Sequence, residues 1–435
     1  MVNTKYKITL LFAGLIMSCV SIFANNPLVK NAGMSDPHIR VFNDTIYLYS
    51  GHDTSPKDST WIMKNWLVYS TTDLIHWTLR DSISPKDNYM ANNSVDCWAS
   101  DAASRHGQYY FYFSDRKRGI GVMKSHSPTG PFKDALGKAL VSPMHDPTLF
   151  VDDNKLKTPY LIYGDKTGGG FHIAALNDDM ISLAEQPKRI IINGKEWNEA
   201  PDWMDKNYLF KHNDTYYLSW GRDYAISKHI YGPYTCVGSV GNGHHLDEFA
   251  HGSFFEWKGQ FYHIWCYYIK PGYKYRESII SYCHFDDQGR IVTDTNFLDQ
   301  HYENGVGQYN AAWDKIEAEW YYEISGGIQK QGNKEKGFVL KNIKNGAWIS
   351  FENVTFGKEY NEVIAHLALE GTKGVLEIRT NSPQGPIIGH IDVAASASFS
   401  NTKTNITRLE GTANIYLVFK ASDESSLDLD YFRFN

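Results

Sequence analysis

Asn43-Asp44-Thr45-Ile46-Tyr47-Leu48-Tyr49 opens on a polar turn and runs into an aromatic strand. The pattern returns at His106-Gly107-Gln108-Tyr109-Tyr110-Phe111-Tyr112 and at Lys157-Thr158-Pro159-Tyr160-Leu161-Ile162-Tyr163. Two further copies are Asn213-Asp214-Thr215-Tyr216-Tyr217-Leu218-Ser219 and Lys258-Gly259-Gln260-Phe261-Tyr262-His263-Ile264. The five lie roughly 45 to 65 residues apart, and helical periodicity is almost absent from the chain. That period is too long for a solenoid unit and suits one four-stranded propeller blade with a variable loop. Five units predict five blades.

Upstream of each hairpin stands a short run headed by a polar residue or Trp: Asp36-Pro37-His38-Ile39-Arg40, Trp98-Ala99-Ser100-Asp101, Asp146-Pro147-Thr148-Leu149-Phe150, Glu199-Ala200-Pro201-Asp202-Trp203 and His251-Gly252-Ser253-Phe254-Phe255. In a propeller the first strand of every blade lines the central channel, so equivalent positions converge at one end of it. After about residue 295 the pattern changes to alternating runs such as Ala347-Trp348-Ile349-Ser350-Phe351 and Ile415-Tyr416-Leu417-Val418-Phe419. About 120 residues of short strands is the size of one β-sandwich. The expected fold class is all-β: a five-bladed β-propeller over 27–300, a linker over 301–315 and a jelly-roll β-sandwich over 316–435.

Length agrees with two domains, since 435 residues exceed what one hydrophobic core usually organises. A net charge of −6 with scattered Lys and Arg leaves no footprint for nucleic acid, which is excluded as a partner. The 29 Tyr, 22 Phe and 12 Trp suit both β-structure and sugar binding. Lys5 and Lys7, the apolar run Ile8–Val20 and Ser21-Ile22-Phe23-Ala24 read as a signal peptide over 1–24. A secreted or periplasmic protein is expected, with lipid attachment at Cys19 as the weaker reading and no transmembrane segment after the leader. Cys97, Cys236, Cys266 and Cys283 show no metal-ligand spacing and are expected as free thiols, a Cys266–Cys283 bridge being the less favoured reading.

Three acids, Asp36, Asp146 and Glu199, head runs in three different blades. Glycosidic hydrolysis requires one carboxylic acid to protonate the leaving oxygen and one carboxylate on the opposite face. A third carboxylate keeps the acid's pKa high by like-charge repulsion. One Asp-Pro alone reads as a turn or strand start; recurrence at matched blade positions favours chemistry.

Over roughly residues 27 to 300 the chain resembles family 43 of the glycoside hydrolases. The matching elements are Asp36-Pro37, Cys97-Trp98-Ala99-Ser100-Asp101, His145-Asp146-Pro147-Thr148-Leu149-Phe150, Glu199-Ala200-Pro201 and His251-Gly252-Ser253. Gly121-Val122 and Ser127-Pro128-Thr129-Gly130-Pro131-Phe132 resemble the family's second-blade ending. The resemblance implies that Asp36 is the general base, Glu199 the general acid and Asp146 the residue that orients the acid and raises its pKa, in an inverting reaction. It places His251 where an axial histidine contacts a hydrated calcium or other ion, and Arg276 where a guanidinium reaches sugar hydroxyls. Trp98 is a candidate pocket wall, because an indole face packs on sugar C–H groups. No cofactor is expected for the chemistry.

Residues 316–435 resemble the family 6 carbohydrate-binding modules through Ile316-Glu317-Ala318-Glu319, Asn345-Gly346-Ala347-Trp348-Ile349, Val354-Thr355-Phe356-Gly357 and Leu429-Asp430-Tyr431-Phe432. By that resemblance Glu317, Glu319 and Asp430 hold a structural calcium, for which hard oxygen ligands are suited. Phe338, Phe399 and Asp428 stand where Tyr, Trp and Asn are usual, which predicts weakened or altered sugar binding. The expected partner is an oligosaccharide or polysaccharide, and the expected activity is exo-acting release of arabinofuranose or xylose from plant-type glycans. A β-galactofuranosidase, an endo-arabinanase and a non-catalytic glycan-binding protein are the alternatives.

Overall fold

The computed structural model describes residues 21–23, 26–90, 93–115, 117–165, 170–194, 205–241, 244–246, 251–357 and 359–435. Five sheets follow one another in chain order, each with its inner strand at the axis and antiparallel neighbours stepping outward; in the fourth, Ile192–Asn193 adds an outer strand parallel to Tyr234–Thr235. Their inner strands are Met34–Phe42, Cys97–Arg105, His145–Val151, Asn207–His212 and Gly252–Trp257. Each pairs across a short turn with the aromatic strand recognised in the sequence, for example Thr45–Asp53 in the first blade and Gln260–Tyr268 in the fifth. The fold is a five-bladed β-propeller followed by a sandwich-like β-domain.

The fourth inner strand starts later than the sequence suggested. Asn213-Asp214 is a two-residue turn, so pairing counts back one to one from His212↔Thr215 to Asn207↔Trp220, and the strand begins at Asn207. Glu199, expected at its head, lies outside the described residues, as do residues 1–20 of the expected leader.

Neighbouring inner strands are tied around the axis by a closed belt of buried hydrogen bonds. Asp101 of blade two accepts from Arg40 Nε of blade one at 2.8 Å and from Leu149 N of blade three at 2.7 Å. Thr148 Oγ1 donates to Asn207 O at 2.7 Å, Tyr208 Oη donates to Phe254 O at 3.0 Å, and Ile39 N donates to Ser253 Oγ at 2.9 Å, which returns to blade one. Asn26 exchanges two hydrogen bonds with the Ile280 backbone and so staples the segment ahead of blade one to the last blade.

The C-terminal domain is one curled sheet. Its long strand Glu362–Thr380 pairs with Ser426–Phe434 through its first half and with Gly411–Lys420 through its second, so it passes from one layer to the other. The bend contains Gly371 at φ +127°, where a Cβ would collide with Ser425 Oγ and approach Ser425 Cα to 2.7 Å. Leu340, Ile349, Phe351, Leu376, Ile415, Leu417 and Phe432 fill the core between layers.

Residues 301–315, expected as a linker, are packed into the structure. Tyr309–Asn310 adds a parallel strand beside Val354–Thr355, and Tyr309 Oη meets Tyr282 Oη at 3.2 Å. Asp294 caps the helix Thr295–His301 by accepting from Phe297 N at 2.9 Å, and its other oxygen takes His284 of blade five and Trp320 of the sandwich. Gln260 Nε2 donates to Glu319 O and Tyr321 O across the same junction. A single apolar cluster therefore runs from blades one and five into the sandwich through Trp77, Trp257, Tyr262, Phe297, Trp320 and Tyr322.

Removing one partner of a buried ion pair strands the other, at a cost of about 3–5 kcal/mol. Asp101→Ala, which leaves Arg40 without its counter-charge and Leu149 N without its acceptor, is expected to lower unfolding stability by about that much in a denaturant titration. A loss below about 1 kcal/mol would mean that the belt does not hold the ring.

Candidate active site

The inner strands of blades one and three do not run regularly into the axis. Pairing slips between Ser35 and His38, and again between His145 and Thr148. At these bulges Asp36 and Asp146 take left-handed backbone with φ +48° and +54°, a region Asp tolerates better than most residues. The bulge turns each carboxylate from the sheet face into the channel mouth. Gly51, paired with Ser35, leaves the space: a Cβ there would approach Met63 Cε to 2.3 Å and Asp36 Oδ2 to 3.5 Å.

Asp36 and Asp146 open onto one cavity of about 320 Å³, which Trp61, Trp98, Asp205, His251, Tyr268 and Arg276 also line. Five of the residues singled out in the sequence thus meet: Asp36, Trp98, Asp146, His251 and Arg276. They come from four blades, as radial convergence requires.

Asp36 is held ionised. Burial raises its pKa, but the Arg276 guanidinium, with Nη1 at 2.7 Å from Asp36 Oδ1, and the His251 Nδ1 hydrogen bond at 3.1 Å outweigh burial and hold it well below the usual carboxylate range. Arg276 is itself fixed from behind by Asp53, through parallel bonds of 2.9 Å from Nε and Nη2 and a backbone bond of 2.8 Å. Cys266 Sγ accepts from Asp36 N at 3.4 Å. Among the described residues, none of Cys97, Cys236, Cys266 and Cys283 forms a disulfide.

Asp146 has different neighbours. Burial raises its pKa, while His145, His251 and the Lys206 N–H, which donates to Asp146 Oδ2 at 2.8 Å, lower it overall. Asp205 stands next to it: an imidazole nitrogen of His145 and one carboxylate oxygen each of Asp146 and Asp205 lie within 4.8 Å of one another. Burial and the charge of Asp146 raise the Asp205 pKa despite Lys206. The pocket therefore combines one carboxyl biased toward ionisation with another biased toward protonation, the division that acid–base hydrolysis needs.

The model of the glycosyl hydrolases family 43 matches residues 24–291. The chain belongs to glycosyl hydrolase family 43. Residues 317–435 match the family 6 carbohydrate binding module. This glycoside hydrolase is 26% identical to an arabinoxylan arabinofuranohydrolase of Paenibacillus polymyxa, over 94% of its own length and 74% of the relative's. It is 28% identical to the xylosidase/arabinosidase 43A of Humicola insolens, over 62% of its length and 98% of that protein. Among solved structures, a family 43 β-xylosidase/α-arabinofuranosidase from a compost microbial metagenome, bound to xylotriose in a calcium-free form, shares 27% identity at a TM-score of 0.53, covering 63% of this chain and 98% of that one. The Bacillus subtilis arabinoxylan arabinofuranohydrolase bound to cellotetraose has a TM-score of 0.54 at 23% identity, over 94% and 97% of the two chains, and so shares the fold across both domains.

In the C-terminal domain of the hydrolase, Ile316–Glu317 pairs with Tyr431–Phe432, which brings Glu317 beside Asp430. Glu319 is buried, its Oε2 has no hydrogen-bond partner, and burial with the nearby Glu317 charge raises its pKa. These are hard oxygen donors, and an orphaned buried carboxylate oxygen suits a calcium ion. The three carboxylates do not all gather within 4.8 Å: Lys315 pairs with Glu317, and His366 Nδ1 lies 2.8 Å from Asp430 Oδ2. Phe338 packs its buried ring 4.5 Å from His284 of blade five and is closed to a sugar.

Asp53, Asp205 and Tyr268 escaped the sequence reading, which named Cys266 only as a thiol and did not bring it to Asp36. Asp53 had a signal: Asp53, Asp115 and Asp165 each end the second strand of a blade. Removing the Arg276 charge raises the Asp36 pKa, so less of the carboxylate is ionised at low pH. The Arg276→Gln variant is expected to move the acidic limb of the kcat/KM profile upward by about 1–3 pH units. An unmoved acidic limb would show that Arg276 does not set the state of Asp36.

Proposed function

We propose that this hydrolase removes terminal arabinofuranose or xylose units from plant-type polysaccharides or oligosaccharides, with inversion at the anomeric carbon. The observation that carries the reading is a single small cavity in which Asp36 is ionised by Arg276 and His251 and faces carboxyls set by burial and like charge. About 320 Å³ is at the small end of ligand pockets, which supports a chain end rather than a threaded polymer. The names of the relatives, an arabinofuranohydrolase and a xylosidase/arabinosidase, support the same sugars.

In this reading Asp36 takes a proton from water as the oxygen attacks the anomeric carbon. A carboxylic acid flanking Asp146 protonates the departing glycosidic oxygen. That acid is expected from the sequence as Glu199. Trp98, with Trp61 and Tyr268, forms the apolar wall; Arg276 and His251 hold the base and present their remaining N–H groups to sugar hydroxyls. Among the described residues no helix is long and apolar enough to cross a membrane, and the expected leader supports a secreted or periplasmic enzyme.

Nitrophenyl glycosides of arabinofuranose, xylose and galactofuranose test the substrate class. Turnover is expected on the first or second, with single sugars as the only early products from arabinoxylan oligosaccharides, and Asp36→Asn is expected to lower kcat by about 10²–10⁴-fold. No turnover on any of the three, or oligomeric early products, would overturn the reading.

Calcium, when bound in the C-terminal domain, would be held by Glu317, Glu319 and Asp430 and would supply a cross-link between chain segments rather than chemistry. A calcium chelator is expected to lower the thermal midpoint, and added calcium to restore it. An unchanged midpoint would contradict the site.

A further inference from the structure

A groove of about 750 Å³ lies where the end of the helix Thr295–His301 and the segment after it meet the strand Ser426–Phe434 of the C-terminal domain. Phe432 and Phe434 of that strand are buried in the core, so Tyr431 and Arg433, alternating with them, turn to the groove side. Trp313 lines the groove from the propeller side, stacked on His301 with ring centroids 3.6 Å and planes 15° apart. Tyr431 lines it from the sandwich side, stacked on His366 at 4.9 Å. Both Trp313 and Tyr431 are partly exposed.

We infer that this groove is a second carbohydrate-binding site, made jointly by the two domains, that holds an uncharged stretch of the glycan whose ends the catalytic cavity trims. The choice of glycan rests on the proposed hydrolase reading; the site itself does not.

The lining has the chemistry that a sugar chain requires. Flat, partly exposed rings pack on sugar C–H faces, and the side-chain amides of Gln300 and Asn304 with the Arg433 guanidinium supply donors and acceptors for hydroxyls. His301 Nε2 and Arg433 Nε are covered without a hydrogen-bond partner, the state in which a bound hydroxyl gains most. The charges cancel: burial pushes the His301 pKa down to about 4, Lys315 is paired with Glu317, and Asp314 and Arg433 carry one charge of each sign. A groove without net charge selects an uncharged ligand over an acidic or basic one. It has more than twice the volume of the catalytic cavity, room for more than one sugar ring if that cavity takes a single terminal unit. Phe338 is spent against His284 of blade five, so a sugar held by this domain needs a surface elsewhere, and the docking that closes off Phe338 also brings Trp313 and His301 alongside Tyr431.

The test is affinity electrophoresis of the full chain in gels containing soluble arabinoxylan, in an Asp36→Asn background so that the polymer is not consumed. That chain is compared with the same chain carrying Trp313→Ala or Arg433→Gln, the second being the milder change should loss of the indole disturb His301 and the junction. The Asp36→Asn chain is expected to be retarded, and Trp313→Ala to weaken its Kd for the polymer by about tenfold. With Asp36 intact, both changes are expected to raise KM on arabinoxylan at unchanged kcat and to leave turnover of 4-nitrophenyl α-L-arabinofuranoside as it was. Equal retardation of all three forms, or of none, overturns the inference and leaves the hydrolase reading standing. Enzyme inert on pentose glycosides yet retarded through Trp313 and Arg433 would end that reading and uphold the groove.

Discussion

Everything at the catalytic mouth depends on the ring being shut. A propeller blade alone exposes its flanks, and only closure puts residues separated by more than two hundred positions within hydrogen-bond distance. Here closure is enforced at the axis itself, by the run of bonds from Arg40 to Asp101, Leu149, Thr148, Asn207, Tyr208, Phe254 and Ser253 back to Ile39. The belt is polar and buried, so a blade shifted by one residue would leave several of these groups without partners. Bulges just above the belt then tip Asp36 and Asp146 into the channel mouth.

Above the belt, the geometry divides labour among carboxyls that are chemically alike. Arg276 is shared by Asp36 and Asp53, so one guanidinium pins Asp36 to a neighbouring strand of its own blade and keeps it charged. Among the described residues no arginine pairs with Asp205, which lies beside Asp146. Opposite biases within one cavity are how a single fold performs acid and base chemistry at one pH.

The fold was legible because five aromatic hairpins repeat with a blade's period, and that period brings Asp36, Trp98, Asp146 and His251 to one end of the axis, while Arg276 was reached only through the family resemblance. The start of the fourth inner strand was not legible. Glu199-Ala200-Pro201 resembles a strand head in sequence, but the register imposed by the Asn213-Asp214 turn places the strand at Asn207. Asp53 went unnoticed because its role lies in its pairing with Arg276, 223 residues away. Phe338 looked like a weakened sugar platform, whereas its ring is spent on the junction with blade five. The junction itself is invisible locally: Asp294, Gln260 and Tyr309 look like loop residues until the two domains are set together. With Phe338, Trp320 and Glu319 drawn into that junction, the C-terminal domain is as much a buttress of blade five as a sugar-binding surface.

The central claim is that water displaces the sugar directly while Asp36 remains a base and never a nucleophile. Proton magnetic resonance of the first sugar released, recorded before mutarotation, tests it most directly. The account expects the anomer opposite to that of the substrate; a product that keeps the substrate's configuration would require a covalent glycosyl-enzyme and would contradict it.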